Sequence, residues 1–126
     1  MNNEVKKRTI LIADDEVSIR TLVVKCFPAY SVVEAEDGAK ALDLIRSCNP
    51  DLIFLDIMMP RMDGYAVLHS LKADVSTNAI PIVMLTGLRF DMNAKLSQNL
   101  GADAYITKPF TAKEITDTVS RLLAKS

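Results

Sequence analysis

Short apolar runs rich in β-branched residues alternate along the chain with longer stretches whose apolar residues recur every three or four positions. Runs of the first kind occupy Ile10–Ala13, Ser31–Ala35, Leu52–Leu55, Ile80–Leu85 and Ala104–Ile106, and their pattern predicts five strands. Three of them are apolar at consecutive positions, as strands covered on both faces are. Ser31–Ala35 is more mixed, and Ile80–Leu85 carries Pro81 near its start, where a missing backbone donor is tolerated.

The intervening stretches predict helices. Ile19, Leu22, Val23, Cys26 and Phe27 share one face of the first, and Pro28 stops it. Ala41, Leu42 and Ile45 mark the second, closed by Asn49-Pro50. Val67, Leu68, Leu71 and Val75 mark the third, after the Asp63-Gly64 turn. A weaker fourth is marked by Met92, Leu96 and Leu100, with Gly101 as its cap. The fifth runs through Ile115, Val119, Leu122 and Leu123, and Thr111 and Glu114 have capping-box spacing at its start. Five strand-then-helix units with short connections imply an α/β fold, a parallel sheet with helices on both faces. No repeat, low-complexity stretch or linker interrupts residues 1–126, so one domain is expected, with its core over about residues 8–124. The chain ends just past the last helix, and is read either as a whole protein or as one domain of a longer one.

Composition removes several function classes. The formal net charge of −1 creates no field that attracts nucleic acid or an anionic membrane. No apolar run approaches the roughly 18 residues of a membrane span, and no basic-then-apolar leader precedes the first strand, so a cytoplasmic location is expected. Cys26 and Cys48 have no metal-ligand spacing and suit a reducing compartment. His69, the single histidine, lies inside the third predicted helix, far in sequence from the strand ends, and reads as a solvated helix residue rather than a phosphate carrier.

The polar residues that follow the strands carry the chemistry. The first strand runs into Asp14-Asp15-Glu16, the third ends in Asp56, the fourth in Thr86, and the fifth is followed by Thr107-Lys108-Pro109. In a parallel sheet these positions share the carboxyl edge, where α/β proteins build their sites. Two unit charges about 4 Å apart at an effective dielectric of about 20 repel by roughly 4 kcal/mol, so gathered carboxylates must bind protons or a cation. With oxygen ligands only, and no histidine or cysteine nearby, Mg²⁺ suits the set better than Ca²⁺, which wants more ligands. Lys108 adds the positive charge that a transferred phosphoryl group needs, Thr86 can donate a hydrogen bond to one of its oxygens, and Asp56 is the candidate nucleophile. Taken singly, each residue has a plainer reading: Asp15 as a helix cap, Asp56 and Thr86 as turn residues, Lys108 as a solvated loop charge. Their joint placement on four of five strand ends is what argues for a site.

These residues also resemble a known family. Ile10-Leu11-Ile12-Ala13-Asp14-Asp15-Glu16, Asp51 through Gly64, Leu85-Thr86-Gly87 and Gly101 through Phe110 are similar, in this order, to the motifs of response-regulator receiver domains. The likeness implies a (βα)₅ flavodoxin-like, doubly wound sheet with strand order 2-1-3-4-5. It implies phosphorylation of Asp56 by a sensor histidine kinase or phosphotransfer protein. It further implies Mg²⁺ held directly by Asp15, Asp56 and the Met58 carbonyl, with Asp14 acting mainly through water. Lys108 would pair with the phosphoryl group across a cis bond to Pro109. Thr86 and Tyr105 would be the switch pair, the threonine moving toward the phosphoryl oxygen and the tyrosine turning inward. The surface of the fourth helix, fifth strand and fifth helix would then be read by a downstream protein or output domain. Dimerisation on phosphorylation is common in the family.

Gly87 stands where alanine is commoner and Ala104 where an acid is frequent. Met58 and Leu88 occupy positions at which the family tunes dephosphorylation, and neither can activate a water, so no strong acceleration of hydrolysis is expected. No enzyme acting on an external substrate is implied, only self-phosphorylation and self-dephosphorylation. An aspartyl phosphatase would want an acid at Met58, a flavin or nucleotide binder a phosphate loop in place of Asp14-Asp15-Glu16. A degenerate receiver signalling by contact alone would not need the full set of Asp14, Asp15, Asp56, Thr86 and Lys108.

Overall fold

The computed structural model describes residues 7–87 and 101–124. In chain order the elements are β1 (Thr9–Ala13), α1 (Val17–Cys26), β2 (Ser31–Ala35), α2 (Gly38–Cys48), β3 (Leu52–Asp56), α3 (Gly64–Ala73), β4 (Ile82–Thr86), β5 (Ala104–Thr107) and α4 (Ala112–Leu123). The helix predicted from Met92, Leu96 and Leu100 lies outside the described residues, as does Leu88. Gly101, its expected cap, has φ of 97°, which glycine adopts without a Cβ clash.

All five strands are parallel and lie in the order β2-β1-β3-β4-β5, the flavodoxin-like order that the resemblance implied. The chain leaves β1 for β2 on one side and returns to β3 on the other, so the switch point lies between β1 and β3. The two-residue period of the strands divides the core in two. Leu11, Ile53, Leu55, Ile82 and Met84 pack with Ala41, Ile45, Leu68 and Leu71 of α2 and α3. Ile10, Ile12, Leu52, Phe54, Val83 and Leu85 pack on the other face with Val23 of α1 and Ile115, Val119 and Leu123 of α4. Both faces of β3 and β4 are buried throughout, the physical reason for their unbroken apolar sequence. The edge strand β2 is half exposed.

Two predicted boundaries are corrected. The fourth strand begins at Ile82 rather than Ile80; Pro81 stands outside it, and its carbonyl accepts the Ile53 N–H at 3.0 Å. Val75 is not part of α3. The helix stops at Ala73, Asp74 turns extended, and Val75 is 87% exposed. The N-terminal cap of α4 is as its spacing predicted, with Thr111 and Glu114 forming a complete capping box.

Candidate functional site

Four strand ends meet at the carboxyl edge of the sheet. Asp14 follows β1 and is fully buried, Asp56 closes β3 and is 4% exposed, Thr86 closes β4 and is fully buried, and Lys108 follows β5. The Lys108 ammonium lies 2.8 Å from Asp14 Oδ2, 3.2 Å from Glu16 Oε1 and 3.5 Å from Asp56 Oδ2. Asp14 Oδ2 is buried, and its partner is the Lys108 ammonium. The Lys108 N–H donates to the Thr86 carbonyl at 2.6 Å, tying the loop after β5 to β4. The Lys108-Pro109 bond is cis, as the resemblance implied.

Backbone donors orient the acids. Asp14 Oδ1 accepts the Glu16 N–H at 2.9 Å, and Asp56 Oδ1 accepts the Met58 N–H at 3.3 Å. Arg20 of α1 donates from Nη1 to the Asp14 carbonyl at 2.7 Å and from Nε to Glu34 at 3.1 Å. Thr86 and Tyr105, neighbours on β4 and β5, share a side-chain hydrogen bond, with Tyr105 half-buried. A surface cleft of about 540 Å³ lined by Asp15, Met58, Met59, Pro60 and Asp63 adjoins these groups.

Among the described residues, the three acids whose oxygens lie within 4.8 Å of one another are Asp14, Asp15 and Glu16. Asp56 stands outside that trio and is joined to it through Lys108. Glu16 is thus the site residue to which sequence reasoning gave no role. The signal was its place directly after Asp14-Asp15, but its reach to Lys108 spans 92 positions and depends on the fold. His69 is exposed on α3, as expected, and Cys26 and Cys48 are free and half-buried.

Burial raises the pKa of Asp14, against the opposing pull of Lys108. Asp56 is pushed from an ordinary 3.8 to about 6, first by burial and then by the charge of Asp14. Burial acts against the charge on Lys108, but Asp14, Asp56 and Glu16 outweigh it and hold the ammonium above its usual value. A carboxyl raised in the folded state favours folding below its ordinary value, and that advantage is lost as pH climbs toward the raised one. In chelator-containing buffer, stability should therefore fall between about pH 4 and pH 6. Asp56→Asn should remove most of this fall. At pH 7 the variant is expected to be more stable than the parent by about 3 kcal/mol, with the difference vanishing near pH 4. Urea unfolding of both proteins at the two pH values checks this; a difference independent of pH would contradict it.

Known proteins match along nearly the whole chain. The family model described as "Response regulator receiver domain" matches residues 10–120. The probable transcriptional regulator ycf27 of Cyanophora paradoxa is 39% identical over 125 residues, covering 98% of this chain and 51% of the relative. The alkaline phosphatase synthesis transcriptional regulatory protein PhoP of Bacillus subtilis is 39% identical over 121 residues, 94% of this chain and 50% of its own. The chain thus spans about half the length of the curated relatives it matches. Among solved structures, the Francisella response regulator 1452 receiver domain superposes with a TM-score of 0.87 at 31% identity, covering 94% of this chain and 98% of that one. The chemotaxis protein CheY4 of Vibrio cholerae gives 0.85 at 28% identity, covering 92% and 98%.

Proposed function

The chain belongs to the response regulator receiver domain family, and from that premise we propose that it is a Mg²⁺-dependent switch that takes up a phosphoryl group on Asp56. The observation that carries the proposal is the Lys108 ammonium poised over both Asp14 and Asp56 at the carboxyl edge of the sheet. A carboxylate oxygen of Asp56 forms the new O–P bond while the donor's bond to phosphorus breaks, its electron pair leaving with the donor. Lys108 stays close enough to neutralise charge on the transferred group, and the Met58 N–H keeps the acceptor carboxylate oriented.

The donor set fits a hard cation. Three acids crowd one side of the site, and the donor atoms they and Asp56 offer are all oxygens, the set that suits a hard cation. Asp15, Asp56 and the Met58 carbonyl would hold Mg²⁺ directly and Asp14 through water. Bound there, the ion supplies a second positive charge for the phosphoryl oxygens.

Thr86 is placed by this reading within reach of the new phosphate, so its bond to Tyr105 is the contact that phosphorylation would trade away. That exchange would reshape β5 and the helices beside it, the surface a downstream protein or output domain reads. A sensor histidine kinase or phosphotransfer protein is the expected donor, in the cytoplasm. Among the described residues no helix is long and apolar enough to cross a membrane. No external substrate is turned over. Incubation with acetyl phosphate should add one phosphoryl group per chain in Mg²⁺ and none in chelator, read by intact mass; equal labelling in both would remove the metal from the proposal, and no labelling in either would sink it.

A further inference from the structure

Arg20 has a placement that its own helix does not explain. It sits in the first turn of α1, where a cation opposes the helix macrodipole, yet its side chain is only 14% exposed. Two acceptors account for it. Nη1 donates to the carbonyl of Asp14 at 2.7 Å, and Nε donates to Glu34 of β2 at 3.1 Å. The N–H of Asp14 in turn donates to the Ala35 carbonyl at 3.0 Å. Both polar groups of the Asp14 backbone are therefore pinned to β2 or to an arginine anchored on β2.

The carbonyl that Arg20 grips belongs to the peptide joining Asp14 to Asp15. The orientation of this peptide plane sets where Asp15 departs from the chain, and Asp15 itself is exposed. We propose that Arg20 is a positioning residue for the Asp14–Asp15 segment: its fork, braced by Glu34, holds the peptide between them so that the two carboxylates face the divalent-cation site they share with Asp56. Partners of this kind, one layer behind the ligands, typically govern metal affinity by about ten- to a hundredfold. The planar guanidinium is the side chain that can serve two acceptors in different directions at once.

This inference rests on the Mg²⁺ reading above, and its test separates the two. The measured quantity is the gain in unfolding free energy between chelator and saturating Mg²⁺, with calorimetric titration of Mg²⁺ alone as a second readout. Arg20→Met keeps the apolar stem and removes the fork. It is expected to weaken Mg²⁺ binding about tenfold, shrinking the Mg²⁺-induced gain by about 1.4 kcal/mol. A purely structural arginine would lower stability equally in both buffers and leave the gain intact, which would overturn the proposal. Should Arg20→Met not fold, Glu34→Ala carries the test from an exposed position on the edge strand. It should lower Mg²⁺ affinity in the same direction by a smaller factor, and unchanged affinity there overturns the proposal. If the unaltered protein shows no Mg²⁺-induced gain at all, it is the metal reading that fails.

Discussion

Asp56→Asn is expected to abolish phosphoryl uptake from acetyl phosphate, a loss of at least about a thousandfold, while the chain stays folded. An acyl phosphate needs an ionised carboxylate oxygen as nucleophile, and an amide at the same place offers none. The substitution keeps the shape of the side chain, so the Met58 N–H still finds an oxygen to which it can donate. Lys108→Met makes the instructive comparison. It removes the ammonium that lies 2.8 Å from Asp14 and 3.5 Å from Asp56 but leaves the nucleophile, so uptake in Mg²⁺ should fall by about a hundredfold rather than vanish. Intact mass over time, with peptide mapping of the labelled chain, checks both. Residual labelling of the Asp56→Asn protein at another carboxylate, at the parent's rate, would move the acceptor elsewhere.

The parts of this arrangement that were legible in the sequence are those set by burial. β1, β3 and β4 are covered on both faces, so solvent imposes no polar alternation, and their apolar runs could be read directly. The edge strand β2 is half exposed and correspondingly mixed. Val75 misled because it continues the spacing of Leu71 by four, whereas local hydrogen bonding decided the end of α3. The Asp74 carboxylate captures both the backbone N–H and the hydroxyl of Ser76, at 3.0 and 2.8 Å, and so favours a turn over another helical residue. In the site, Asp56, Thr86 and Lys108 could be read as strand ends because topology alone brings them together. Which acids cluster was not legible. That depends on the start of α1 and on where the long Lys108 side chain comes to rest, and both are consequences of packing between distant segments.

Gly64→Ala should be the most damaging small substitution at the site, and the reason lies in backbone rather than side chain. Gly64 opens α3, and its N–H donates to the Ile57 carbonyl at 2.9 Å, closing the loop against the end of β3. A Cβ added there would lie 2.3 Å from the Asp56 carbonyl oxygen and 2.9 Å from the Ile57 Cα. Neither atom belongs to a flexible side chain that can swing aside, so β3 and α3 must separate or tilt. Overpacking of this sort costs about 1–3 kcal/mol, against the helix propensity of roughly 1 kcal/mol that alanine gains over glycine. A net loss of about 1 kcal/mol is expected, rising toward about 2 kcal/mol if neither backbone segment can shift. The group displaced is the backbone of Asp56 itself, so the folded fraction should also take up phosphate more slowly. Gly87→Ala supplies the control, because a Cβ at Gly87 meets none of the described residues within 4 Å and the change should stay within about 0.5 kcal/mol. Urea unfolding of the two variants, with uptake rates corrected for folded fraction, decides the matter. Equal stability of the two would mean that the β3–α3 contact is looser than its geometry implies, and that the acceptor strand is not held in place by this close approach.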